Sequence, residues 1–182
     1  MKNLLIILAF MPLSLFAQTF LVTPLGLRDA VDTSKVFVVI KIENKSAKQL
    51  YDNAIKYINK NYKSPDDVIK GKVDGEYLNF ITHAPDFIAI KNSFVKSYFN
   101  ADYIIELNFK DGKVKYEIKS LDIYNSSNYK LSFCGSGLNF FIYSKNFELK
   151  RPDAKSSIEN YFNEQIQTLK IALEDNNQEN NW

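Results

Sequence analysis

Cysteine, histidine and tryptophan each occur once in this chain, and glycine and proline are sparse at six and five residues of 182. A single cysteine excludes an internal disulfide, so stability has to come from a packed core. One cysteine and one histidine cannot supply the three or four ligands of a zinc site, and no Asp-x-Asp-x-Asp-Gly calcium loop is present. No cofactor or metal is therefore expected. An excess of one charge is missing too: 23 basic against 21 acidic residues leave a formal charge of +2. Such a chain generates no field that gathers nucleic acid. Its one long apolar run, Leu4 to Phe10, is too short to span a bilayer and is followed by Pro12.

That run has a different meaning. Lys2 precedes it, and Leu15-Phe16-Ala17 ends in a small residue suited to cleavage before Gln18. Residues 1–17 read as a secretory signal peptide, which places the mature chain in the periplasm or outside the cell. With no cysteine at the cleavage point, a lipid anchor is excluded. Residues 18–35, with Pro24 and Gly26, read as an N-terminal leader or a loose first strand.

Aromatic residues are abundant, with 14 Phe and 11 Tyr, a composition that favours strands. "VFVVIKIE" at 36–43 is a β-branched run. Ser46 and Gln49 have capping-box spacing, and Leu50, Ala54 and Ile58 then share one face of a helix that stops before Pro65. Beyond Pro65 the period shortens to two. Asp74-Gly75 and Asp111-Gly112 each separate alternating runs, the strongest short-range hairpin signal, with type I′ geometry implied. In "DYIIELNFK", Tyr103, Ile105, Leu107 and Phe109 alternate with Glu106, Asn108 and Lys110, so one face is buried and one wet. Asp102 and Glu106 fall on the wet face. The alternation slips at Ser120, where a bulge is expected, and again near Lys91-Asn92-Ser93 after a turn at Pro85. A second amphipathic helix follows Pro152, with Ile158, Phe162, Ile166, Leu169 and Leu173 on one face and a capping-box spacing at Ser156 and Glu159. These patterns predict an α+β domain at 36–175: an antiparallel meander of about five to six strands with two helices on one face. An extra hairpin is expected at 125–150, and a polar disordered tail at 176–182.

The order strand, helix, meander, helix resembles an exported bacterial family of unknown function with a TBP-like fold. The resemblance rests on "KIENKSAKQLYDNAIKYINKNY", "VIKGKVDGEYLNF" and "DYIIELNFKDGKVKYEIKSLDIY", spanning residues 36–124. It implies that fold and an exported setting, and no activity that transfers to any residue. Asn125 to Arg151 looks like an addition to the pattern.

The candidates for chemistry are few. A catalytic His83 needs Ser93, Cys134 or Asp86 within reach, whereas the plainer reading is a strand-end histidine before Pro85. Gly135-Ser136-Gly137 lacks the −2 and +2 glycines of a nucleophile elbow, and two glycines between apolar runs suit a hairpin pairing Leu131 and Phe133 toward Leu138 and Phe140. Tyr124, Tyr129, Phe140, Phe141 and Tyr143 cluster around that hairpin, as core or as an exposed platform; Tyr124, Tyr129, Phe141 and Tyr143 are the candidate ligand-binding residues. The expectation is an exported, non-catalytic binding or interaction module of the cell envelope, its partner an unidentified protein or envelope ligand. The alternatives are an exported hydrolase assembled around His83 and an envelope subunit that pairs through a sheet edge.

Overall fold

The computed structural model describes residues 19–92, 95–137 and 140–175. The expected signal peptide at 1–17, Ser93, Leu138 and the tail at 176–182 lie outside the described residues. Strands β3 (Phe37–Lys41), β4 (Ile69–Val73), β5 (Tyr77–Asn92), β6 (Val95–Lys110) and β7 (Lys113–Asn125) form one sheet in the order β3-β7-β6-β5-β4. Every neighbouring pair is antiparallel. The meander runs from β4 to β7, and β3 closes the far edge against β7. The Asp74-Gly75 and Asp111-Gly112 turns are present, with φ +70° at Gly75 and +73° at Gly112. Neither aspartate takes a positive φ, so these turns are not type I′, which requires it at both central residues.

The period-two pattern becomes one-sided burial. Ala101, Tyr103, Ile105, Leu107 and Phe109 of β6 lie in one core cluster with Leu78, Phe80, Val114, Tyr116, Val38 and Ile40. Helix α1 (Ala47–Asn61) adds Leu50, Tyr51, Ala54 and Ile58, and helix α3 (Pro152–Glu174) adds Ala154, Ile158, Phe162, Ile166, Leu169 and Leu173. Each large apolar side chain so buried contributes about 1.5–3 kcal/mol. Helix α2 (Pro65–Val68) is a single turn that takes the start of the run expected to be strand. The α1 capping box forms as the spacing predicts, with the Gln49 N–H on Ser46 Oγ and the Ser46 N–H on Gln49 Oε1. The box expected at Ser156 and Glu159 does not form, because α3 already begins at Pro152. Glu159 instead accepts from the Val22 N–H at 2.8 Å.

That contact belongs to a correction. The leader is no loose segment: β1 (Phe20–Thr23) and β2 (Gly26–Asp29) form a hairpin whose Phe20, Val22 and Leu27 are buried. Asn163 of α3 accepts from the Phe20 N–H at 2.7 Å and donates to its carbonyl at 3.2 Å, so helix side chains serve as a strand partner for β1. The hairpin addition at 125–150 is corrected as well. Strands β8 (Leu131–Gly135) and β9 (Phe140–Ser144) pair in parallel, Leu131 opposite Phe140 and Cys134 opposite Tyr143. Each of the two strands is five residues long. Burial of Leu131, Ile142 and Tyr143 against the core gives the ribbon its place.

On the face of the sheet away from the helices, Glu117 is the exception to wetness at 4% exposure. Lys115 and Lys119 grip its two carboxylate oxygens at 2.8 and 2.5 Å. Burial pushes the carboxyl up, but the two ammonium groups outweigh it and hold it below its ordinary value. A depressed carboxylate contributes stability that is present above the unfolded-state pKa and lost as pH falls through the folded one. Glu117→Gln is therefore expected to lower stability at pH 7 by about 1–3 kcal/mol in urea melts. The gap from wild type should close as pH falls below the ordinary value of 4.5; a gap unchanged by acid would refute this account of Glu117.

Candidate functional site

Two irregularities shape the outer face of the sheet. Between Ala84 and Ile88 of β5, three residues (Pro85, Asp86 and Phe87) oppose the single Asn100 of β6. Between Lys119 and Asp122 of β7, Ser120 and Leu121 oppose Tyr103, with Ser120 at φ +52°. The second is the bulge expected from the phase slip. The first corrects the reading of Pro85 as a turn: proline, which lacks an N–H, is tolerated where a bulge interrupts the ladder. Asp86 takes φ +50° there, and its N–H donates to Asn100 Oδ1 at 3.0 Å. The phase change near Lys91-Asn92-Ser93 is the reversal between β5 and β6, since Asn92 pairs with Val95. His83 is accordingly mid-strand.

Bulges re-aim side chains, and these two flank the row His83, Asp102, Asp122, which lie directly opposite one another on β5, β6 and β7. His83 Nδ1 lies 2.7 Å from Asp102 Oδ1, and the Tyr124 hydroxyl donates to Asp102 Oδ2 at 2.7 Å. Asp122 holds Lys130 Nζ with both oxygens at 2.9 Å. The side chains of His83 and Asp102 are 55% and 52% exposed, so their pairing adds little to folding. The hydrogen bond from His83, seconded by that from Tyr124, holds the Asp102 carboxyl below its ordinary value. Reciprocally, Asp102 pushes the Tyr124 phenol up. An ionised Asp102 fixes the orientation of both partners: Nδ1 carries the His83 proton, and Nε2 faces outward.

A histidine oriented by a carboxylate is two-thirds of a nucleophilic relay, and the third member has to sit on the other ring nitrogen. Among the described residues no serine, threonine or cysteine is hydrogen-bonded to His83. Thr82, its neighbour, turns to the helix side and meets the Tyr62 hydroxyl at 2.7 Å. Asp86, one of the expected partners, sits in the bulge. The thiol of Cys134 donates to the Ser144 carbonyl at 3.2 Å, within the β8–β9 ribbon. Gly135, Ser136 and Gly137 line an open cleft of about 490 Å³ with Phe141, Ser144 and Lys145, and its lining contains no histidine.

The four aromatic candidates do not form one platform. Tyr143 is buried and its hydroxyl donates to the Val22 carbonyl at 2.9 Å, so it is a packing residue. Phe141 is half-buried beside Gly135. Tyr129 is 51% exposed and stands edge-on to Phe140. Tyr124 alone joins the outer face of the sheet, through Asp102. Asp102 was legible in sequence only as a solvated carboxylate, and Asn100 and Tyr98 on the same side of β6 not at all. Their relation to His83 depends on strand register, which no local spacing encodes.

A model of the family described as "Domain of unknown function (DUF4468) with TBP-like fold" matches residues 37–124. Among solved structures, the chain is similar to a DUF4468 family protein from Bacteroides ovatus, with a TM-score of 0.53 at 15% identity over 79% of this chain and 90% of the other. It is also similar to a TBP-like protein from Parabacteroides distasonis, with a TM-score of 0.53 at 11% identity over 75% and 90% of the two chains. At such identities the likeness concerns the fold. No curated protein matches the chain.

The geometry around Asp102 predicts an order of effects. Followed by carboxyl-carbon NMR, the titration of Asp102 is expected to move upward in His83→Ala and by a smaller step in Tyr124→Phe, as the ranking of the two hydrogen bonds requires. Equal titrations in all three proteins would show that the contacts do not persist in solution.

Proposed function

We propose that the chain, whose residues 37–124 match the model of the DUF4468 domain of unknown function with a TBP-like fold, is an exported, non-catalytic binding module of the cell envelope that uses the outer face of its sheet. The observation that carries this reading is the exposed row of oriented polar groups on that face. His83, Asp102 and Tyr124 stand between two bulges on the broad middle of the sheet, the first two about half exposed, while the core occupies the other face. Catalysis by charge development works best where water is excluded; a half-exposed pair on an open sheet suits recognition better. The signal-peptide pattern at residues 1–17 supports the exported setting, and among the described residues no helix is long and apolar enough to cross a membrane.

A second reading has an observation of its own. Strand β4 pairs only with Tyr77–Phe80 of β5, so among the described residues no strand lies on the outer side of the remainder of β5. An extended partner segment could add there, as the envelope-subunit alternative requires. The bulge and proline at 85–87 interrupt that edge, a feature that discourages unspecific pairing, and the face is therefore preferred to the edge.

The purified protein is expected to show no His83-dependent turnover of chromogenic ester, amide or glycoside substrates. Hydrolysis present in the wild type and lost in His83→Ala would overturn the binding reading in favour of the hydrolase.

A further inference from the structure

The hydrogen bonds on the outer face fix which atoms remain to meet a ligand. Asp102 has one oxygen committed to His83 and the other to Tyr124. Both carboxylate oxygens of Asp122 hold Lys130. Neither acid therefore stands waiting for a cation. What is left for a ligand is Nε2, the ring nitrogen of His83 away from Asp102, and the phenolic oxygen of Tyr124, whose proton is spent on Asp102. With Nδ1–H donated to the carboxylate, Nε2 can accept as the phenolic oxygen does, the two placed on either side of one carboxylate. Asn100, in line with Asp102 on β6 and opposite Tyr124, gives its Oδ1 to the Asp86 N–H and keeps its amide nitrogen as a donor. Two residues further along the same side, Tyr98 is 52% exposed, its ring attended by the Lys96 ammonium at 5.0 Å.

From this arrangement we infer that the outer face binds a neutral oligosaccharide lying along β6, its hydroxyls read by His83, Tyr124 and Asn100 and one ring seated on Tyr98. The inference deepens the binding reading and rests on it. From Asp102 to Tyr98 is about 13 Å along an antiparallel strand, the length of roughly three linked sugar rings. Paired acceptors followed by a donor suit a chain of hydroxyls, each of which both donates and accepts. An aromatic ring at the end supplies the apolar contact that such a ligand's ring faces need. A basic peptide fits less well because Asp102 and Asp122 already have partners.

The test is an amide NMR titration of the mature chain with cellohexaose, maltohexaose, mannohexaose and chitohexaose, beside a lysine-rich peptide. At least one oligosaccharide is expected to shift the signals of Tyr98, Asn100, Asp102, His83 and Tyr124. Tyr98→Ala should weaken that binding about tenfold, the scale of one aromatic contact. Phe147→Ala, an exposed residue remote in sequence from the face, should leave it unchanged, and spectra of the free variants check that each remains folded. The inference is overturned if no oligosaccharide shifts these residues at millimolar concentration, or if the shifts lie elsewhere on the protein. Shifts of the same residues by the peptide alone would overturn it while leaving the binding reading intact. Hydrolysis of any oligosaccharide that depends on His83 would overturn both.

Discussion

Everything in this fold depends on burying one face of a five-stranded antiparallel sheet beneath two helices. Strands that alternate apolar and polar residues cannot hide both faces, and α1 and α3 supply enough apolar surface for only one. Leu50, Ala54 and Ile58 of α1 and Ile158, Phe162 and Ile166 of α3 meet Phe80, Tyr103, Leu107 and Tyr116 in a single cluster. Aromatic rings do much of the filling, with Phe162 packed edge-on to Tyr103 at 5.2 Å and close to Phe20 and Phe87. Among the described residues the buried Tyr116 hydroxyl meets no hydrogen-bond partner; a buried hydroxyl left so costs about 1–3 kcal/mol, which surrounding burial offsets.

The segments outside the family match serve the same core. The β1–β2 hairpin and the β8–β9 ribbon both lie at the α3 end of the molecule, joined by the hydrogen bond from Tyr143 to Val22. Asn163 and Glu159 bind β1 through its backbone, so the polar flank of α3 acts as a strand edge. Phe140 then reaches Phe99 at 5.2 Å, closing the ribbon over the far end of the sheet. What looks like a leader and an insertion in sequence is thus part of one packed body. Glu117, the one buried charge among the described residues, lies on the opposite face and is tolerated because two lysines from its own strand neutralise it.

Local patterns in the sequence were sufficient wherever local physics decides. The α1 capping box, the alternation of β6, the two Asp-Gly turns and the Ser120 bulge all follow from spacings of a few residues. What was not legible depends on distant partners. The parallel pairing of Leu131 with Phe140 goes against the strong prior for a hairpin between close apolar runs, and only burial against Phe99 and β1 selects it. Strand β5 runs through Pro85 because Asn100 of β6 satisfies the bulged Asp86 N–H. Of the candidate site, His83 and Tyr124 were in view as individual residues. That they share Asp102 follows from a register set by two bulges, which no single strand reveals.

On the proposed reading the two faces of the sheet have separate duties, the inner one holding the fold and the outer one meeting a ligand. Urea denaturation of a core variant beside an outer-face variant tests that division most directly. Phe162→Ala should cost about 3–5 kcal/mol. The combined His83→Ala, Tyr124→Phe and Tyr98→Ala protein should lose less than about 1 kcal/mol, as exposed positions do. An outer-face variant destabilised as much as the core variant would contradict the account, because those residues would then belong to the machinery of folding.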